Sequence, residues 1–302
     1  ITVRKVSILI PGHPASVQIE DTNPIREISK MKDKLNRRNF LGKSALAGAG
    51  IAAAGSVAGI KSEVVANPLQ EAEAPGTILA LGAHYDDCPF GIPGTLLEAV
   101  RKNYRVVILN IIGDYSNWAP VSDRVEALRE NSIRLAEERG MEMRFLKYAS
   151  MKFRNDDQAQ AEIAEVVAEV SPDLAFMLWR RDRHPDHEVA SLLCEAALRQ
   201  PAAILGRSGP RPPRRIYYYD NGPGHTVDFT PDTYLDISEH WTAAMEWLGE
   251  NMAFVRKDKY DPGNPSGALL TKEKLARYRG SACGVGYAEA LLSYKPYPTE
   301  IL

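Results

Sequence analysis

What most limits how this chain can fold is the form of its apolar runs between residues 77 and 219. Thr77 to Ala83, Arg105 to Ile112, Met143 to Tyr148, Leu174 to Trp179 and Arg215 to Tyr219 each have the length of a strand. They do not alternate cleanly between apolar and polar, so they belong to a sheet covered on both faces. Helical spacing fills the gaps. It covers residues 95–103, about Ser122 to Arg139 with Gly140 as a C-cap, Gln158 to Val170 stopped by Ser171-Pro172, and His187 to Arg199. This alternation predicts an α/β fold with a mostly parallel sheet between helical layers. Beyond Pro223 the spacing predicts one more strand, Tyr234 to Ile237, and helices over Glu239 to Phe254 and Lys272 to Arg279. Pro210 to Arg215 reads as a surface connector.

The segment before this pattern has a different character. Residues 1–30 show no period and are expected to be upstream of the natural start, Met31. A basic stretch from Lys32 to Arg38 leads into Asn39-Phe40-Leu41-Gly42. Ser44 to Ile60 is an uncharged Ala/Gly-rich run, and Val64-Val65-Ala66 offers a cleavage site. That is the layout of an export signal over residues 31–66, and Arg37-Arg38 followed by Phe-Leu fits the twin-arginine type. The run falls short of the roughly 20 residues that span a bilayer, and its glycines disfavour a buried helix. The expected mature protein is a single catalytic domain over 67–302, exported to the periplasm or beyond and touching a membrane only through its signal. A net charge of -2 provides no field for nucleic acid. Three cysteines, Cys88, Cys194 and Cys283, form neither a metal knuckle nor a disulfide framework.

Two clusters carry the chemistry. The first strand ends in Ala83-His84-Tyr85-Asp86-Asp87, and the fourth is followed by Arg183-His184-Pro185-Asp186-His187. In an open parallel sheet ligands bind at the carboxyl ends of the strands. Imidazole and carboxylate are both zinc ligands. Two adjacent carboxylates cannot easily face one metal, so one can bind while the other stays free as a base. Either cluster alone could be a helix cap. Three of the six histidines fall in the two together, whereas His13, His225 and His240 stand alone.

Read together, these residues resemble the PIG-L/LmbE-like de-N-acetylases. Ala83-His84-Tyr85-Asp86-Asp87, with Gly91 and Gly94-Thr95, is similar to that family's Ala-His-Pro-Asp-Asp motif. His184-Pro185-Asp186-His187 matches its His-Pro-Asp-His motif. Gly284-Val285-x-Tyr287-Ala288-Glu289-Ala290 is similar to its C-terminal signature, and Gly113-Asp114 to a Gly-Glu/Asp position. The resemblance spans roughly residues 77–292. It implies a Rossmann-like three-layer fold. It implies a zinc ion, or another divalent metal, on His84, Asp87 and His187, with Asp86 as general base. His184 would stabilise the oxyanion, with Asp186 orienting and charging it. Asp114 and Arg129 become candidate substrate contacts. The implied reaction is hydrolysis of an N-acetyl amide on an amino sugar or glycoconjugate of the N-acetylglucosamine type, releasing acetate. Tyr85 in place of Pro, Cys88 in place of Glu and Ile111 in place of Thr alter the pocket and leave the substrate open. Cys88 is read as packing. A hydrolase of another acyl amide, such as a thiol conjugate, and a non-catalytic glycan binder are the alternatives. A nucleotide-binding Rossmann protein is set aside because no G-x-G-x-x-G follows the first strand.

Overall fold

A computed structural model describes residues 76–298. The expected upstream and signal segments, 1–66, lie outside the described residues. In chain order the elements are β1 (Thr77–Gly82), α1 (Asp87–Gly91), α2 (Pro93–Arg101), β2 (Arg105–Asp114), α3 (Val125–Glu137), β3 (Glu142–Ala149), α4 (Asp157–Val170), β4 (Leu174–Leu178), α5 (Pro185–Arg199), α6 (Pro201–Leu205), β5 (Arg215–Tyr219), β6 (Thr233–Asp236), α7 (Trp241–Val255), α8 (Gly267–Cys283) and β7 (Ala288–Ser293). Among the described residues no helix is long and apolar enough to cross a membrane.

The strands form one sheet in the order β3-β2-β1-β4-β5-β7-β6. The first five run parallel, and β7 runs antiparallel to both of its neighbours. Helices α4, α5 and α6 pack together on one face, while α2, α3, α7 and α8 cover the other. Double coverage explains the unbroken apolar runs. Leu79, Ala80 and Leu81 of β1 and Val107, Ile108 and Leu109 of β2 are fully buried. Each large apolar side chain among them contributes about 1.5–3 kcal/mol relative to exposure.

The chain winds outward from β1 in two directions, to β2 and β3 on one side and to β4 and β5 on the other. The order reverses between β1 and β4, and an open α/β sheet forms its ligand crevice at that switch point. Both clusters lie there, one after each strand.

Three elements were not expected from the sequence. α1 and α6 have five residues each, too short for a helical period. β7 is the C-terminal signature itself, and four of its six residues are buried. α5 starts two residues earlier than the spacing suggests, with Pro185 in its first turn, where a missing N–H costs nothing. α8 is twice the expected length, extending from Gly267 to Cys283, where Gly284 at φ 82° closes it.

Candidate active site

At the end of β1 the chain turns sharply into α1, and Asp87 holds the turn together. Its Oδ2 accepts the Ala83 and His84 backbone N–H groups at 2.8 and 2.7 Å, and its Oδ1 accepts the Asn221 side-chain amide at 2.7 Å. Burial would raise its pKa, but the neighbouring His187 and His84 outweigh that and hold the carboxyl well below the usual range. From the end of β4, α5 brings His187 to the same point. His187 Nε2 lies 3.1 Å from Asp87 Oδ1 and 3.2 Å from His84 Nδ1, and His84 Nδ1 lies 3.6 Å from Asp87 Oδ2.

These separations test whether a metal fits. Zinc bonds of 2.0–2.1 Å at tetrahedral angles set ligand atoms about 3.4 Å apart. The spacings among His84, Asp87 and His187 bracket that figure. The outward nitrogens agree with it. His84 Nε2 is 3.1 Å from Asp186 Oδ2, and His187 Nδ1 is 3.1 Å from Asp182 Oδ2. A carboxylate behind each imidazole favours the tautomer that presents a lone pair to a metal, through a hydrogen bond for His84 and by proximity for His187. In the structure His84 is pushed up to about 9 and His187 to about 10. Burial opposes both shifts, but the carboxylates prevail: Asp186 and Asp87 for His84, Asp87 and Asp182 for His187. One half-buried and one buried imidazole with such an appetite for positive charge suit a cation between them. His184 comes close enough to His84 and His187 for these three also to form a metal-sized group.

Asp86 is placed differently. Its carboxylate is half-buried and hydrogen-bonds to no other described residue. Burial, and then the charge of Asp87, push it up to about 6. It is an unengaged base poised near neutrality.

His184 departs from expectation. Asp186 does not charge it: the Asp186 carboxylate is 4.0 Å from His184 Nδ1. That carboxylate is committed to His84, to the Ser150 hydroxyl at 2.8 Å and to the Met151 N–H. Burial, then the nearby His84 and His187, hold His184 below its ordinary pKa. Its Nδ1 accepts the Asp186 N–H at 3.2 Å, capping α5. A ring nitrogen that accepts cannot also carry the proton, so neutral His184 holds it on Nε2 and can donate.

The cleft over these residues has a volume of about 540 Å³ and also takes in Tyr115, Trp118, Asn221 and His225. Asp114 and Arg129 are not in its lining. Asp114 accepts the Ser116 N–H at 2.8 Å at the end of β2. Arg129 pairs with Glu126 at 3.0 Å one turn away on α3. Both are engaged in local structure outside the cleft lining. Cys88 is buried against Tyr219, 3.6 Å from its hydroxyl, and burial pushes its thiol up to about 12. Asp182 and Asn221 went unread in the sequence. Asp182 stands two residues before His184, a spacing that signals a capping turn. Asn221 follows β5 with no motif around it.

The fold and site define a three-layer α/β protein with a His/Asp centre at the sheet's switch point. Residues 79–198 match the profile of the PIG-L family, described as GlcNAc-PI de-N-acetylase. Among solved structures, GalB, the 4-carboxy-2-hydroxymuconate hydratase of Pseudomonas putida KT2440, is 20% identical, with a TM-score of 0.63 over 75% of this chain and 99% of that one. The N,N'-diacetylchitobiose deacetylase of Pyrococcus horikoshii is 16% identical, with a TM-score of 0.60 over 73% of this chain and 86% of that one. The A40926 pseudoaglycone deacetylase Dbv21 is 19% identical, with a TM-score of 0.53 over 76% of this chain and all of that one. At these identities the likeness is one of fold.

Proposed function

We propose that the chain belongs to the PIG-L family and is a metal-dependent amide hydrolase removing an N-acetyl group from an amino-sugar substrate, with zinc as the metal. The observation that carries the reading is the convergence of His84 Nδ1, His187 Nε2 and the Asp87 carboxylate at metal-ligand spacing beside the unengaged Asp86. The PIG-L match over the segment that bears both motifs supports the same reaction.

A metal held by His84, Asp87 and His187 supplies Lewis-acid polarisation of the amide carbonyl and activation of water. Asp86 takes one proton from the water as its oxygen bonds to the carbonyl carbon. The Nε2–H of His184 donates to the oxygen that gains charge, as a neutral oxyanion-hole donor does. When the C–N bond breaks, Asp86 returns its proton to the departing nitrogen, leaving acetate and a free amine. Asp186 and Asp182 act through the two ligand histidines by orienting them.

The hydratase GalB, on the same fold, favours a second reading, addition of water across a carbon–carbon double bond. Acetate release separates the two. The zinc-supplemented protein should liberate acetate and amine in equal amounts from N-acetylated amino sugars, and an inert acetamide under those conditions would refute amide hydrolysis. The signal layout of residues 31–66 leads us to place this reaction outside the cytoplasm, after twin-arginine export.

A further inference from the structure

Outside the reactive centre the cleft presents more apolar than polar surface, with Asn117, Ser150, Asn221, His225 and Thr271 as its polar members. Tyr85 and Tyr115, both nearly fully buried, back the partly exposed Trp118 in one wall; Phe90 and Met252 also line the cleft, and no lysine or arginine is part of the lining. The wall is built rigidly. Ring centroids are 5.7 Å apart for Tyr85–Tyr115, 6.3 Å for Tyr85–Trp118 and 6.2 Å for Tyr115–Trp118. The Tyr115 hydroxyl accepts the Tyr85 N–H at 2.9 Å, and the Trp118 N–H bonds back to the Tyr115 carbonyl at 2.9 Å. Tyr85 lies between His84 and Asp86, so the wall begins at the reacting groups.

The rim continues this character. Met151 is 60% exposed and sits at φ 61°, a left-handed conformation that a side chain disfavours. The Asp186 carboxylate holds it there by accepting its N–H at 2.9 Å. The residue that backs the ligand His84 therefore also keeps an apolar side chain at the mouth. Arg256 is near enough for its charge to reach Tyr85, yet it stands outside the lining.

A phosphate or carboxylate bound beyond the metal and its histidines would leave water for walls that offer no lysine or arginine. An aryl or alkyl group would exchange water for the partly exposed rings of Trp118 and Phe90 and the side chain of Met252. Resting on the amide-hydrolase reading, we infer that the substrate carries an uncharged apolar group next to its N-acetyl amino sugar, and that phosphorylated sugars are poor ligands of this cleft.

The test compares three ligands on the zinc-supplemented full chain: N-acetylglucosamine, its octyl glycoside and its 1-phosphate. Both kcat/KM for acetate release and binding, followed by tryptophan fluorescence, are measured. The octyl glycoside should exceed the free sugar by roughly tenfold or more in both, the scale of burying a short alkyl chain, and the 1-phosphate should fall below it. Trp118→Ala should bring the octyl-to-free ratio toward one, while Trp118→Phe should preserve most of it. A 1-phosphate that matches or beats the octyl glycoside would overturn the inference, as would a ratio untouched by Trp118→Ala. If none of the three releases acetate, the hydrolase reading has failed. The order of the binding constants still decides whether the cleft selects uncharged apolar ligands.

Discussion

The most searching test of this architecture lies away from the chemistry, in a charge pair with no access to solvent. Lys272 on α8 and Glu289 on β7 are each about 1% exposed, with Lys272 Nζ 2.8 Å from Glu289 Oε1. Glu289 also accepts the Gly94 N–H at 3.0 Å and the Thr95 N–H at 2.7 Å, capping α2 from a distant strand. Lys272 donates to the Gly91 carbonyl at 3.0 Å, at the end of the short helix that begins with Asp87. Glu289→Ala leaves two backbone donors and an ammonium buried with one carbonyl for company. Breaking such a pair costs about 3–5 kcal/mol. Lys272→Met is milder, because Glu289 keeps both N–H partners at a helix N-terminus. It should cost about 1.5–3 kcal/mol, the scale of a charge-assisted hydrogen bond. For a domain of this size each kcal/mol moves Tm by about 2–4 °C, so Glu289→Ala should lower it by roughly 6–20 °C. Thermal unfolding by circular dichroism reads the singles and the Lys272→Met/Glu289→Ala double. The double should cost less than the sum of its parts. Strict additivity, or a Glu289→Ala variant within ~1 kcal/mol of the parent, would refute this account of the pair.

Asp86→Asn should keep its metal yet lose roughly 10²-fold in turnover, the usual scale for a lost general base. As a base Asp86 works deprotonated, and burial places it at about 6, so kcat/KM should fall as pH drops through that value. A bound dication shifts the midpoint lower still. The residual activity of Asp86→Asn should lack this acid limb, and an unchanged limb would assign it to another group. Asp182→Asn should weaken metal affinity about 10–100-fold through its effect on His187, read by competition with a chelator. Unaltered affinity would show Asp182 to be only a turn residue. Arg37→Lys with Arg38→Lys should retain the precursor inside the cell on fractionation, and normal export would exclude the twin-arginine route.

The sheet was legible in the sequence because burial on both faces forces unbroken apolar runs. Each expected strand, from Thr77 to Tyr219, is present with bounds altered by a residue or two. Legibility failed where order depends on distant partners. β7 draws its identity from Glu289 reaching Gly94 and Thr95, a contact between residues nearly two hundred positions apart. At the centre, His84, Asp86, Asp87, His184 and His187 were found by their motifs, and the structure brings all five to one cleft. What the motifs misjudged was pairing. Adjacency in His184-Pro185-Asp186 suggested that Asp186 serves His184, whereas the turn into α5 directs that carboxylate to His84 in the turn after β1. Asp182 was invisible for the same reason, since it stands before α5 and its partner His187 lies inside that helix.

The position of β7 has a bearing on how the chain comes to fold. β6 pairs with β7 through residues 233–236 and 288–291, and β7 in turn pairs with β5 through 291–293 and 217–219. A ribosome delivers β6 well before the strand that joins it to the sheet. Until residues 288–293 emerge, the edge of β5 is open, α2 lacks its Glu289 cap and Lys272 has no carboxylate. The parallel half, β1 to β5, can assemble as it is made. The far edge of the sheet and the brace behind α1 close only once residues 288–293 have emerged, so this half of the protein is completed after the parallel half.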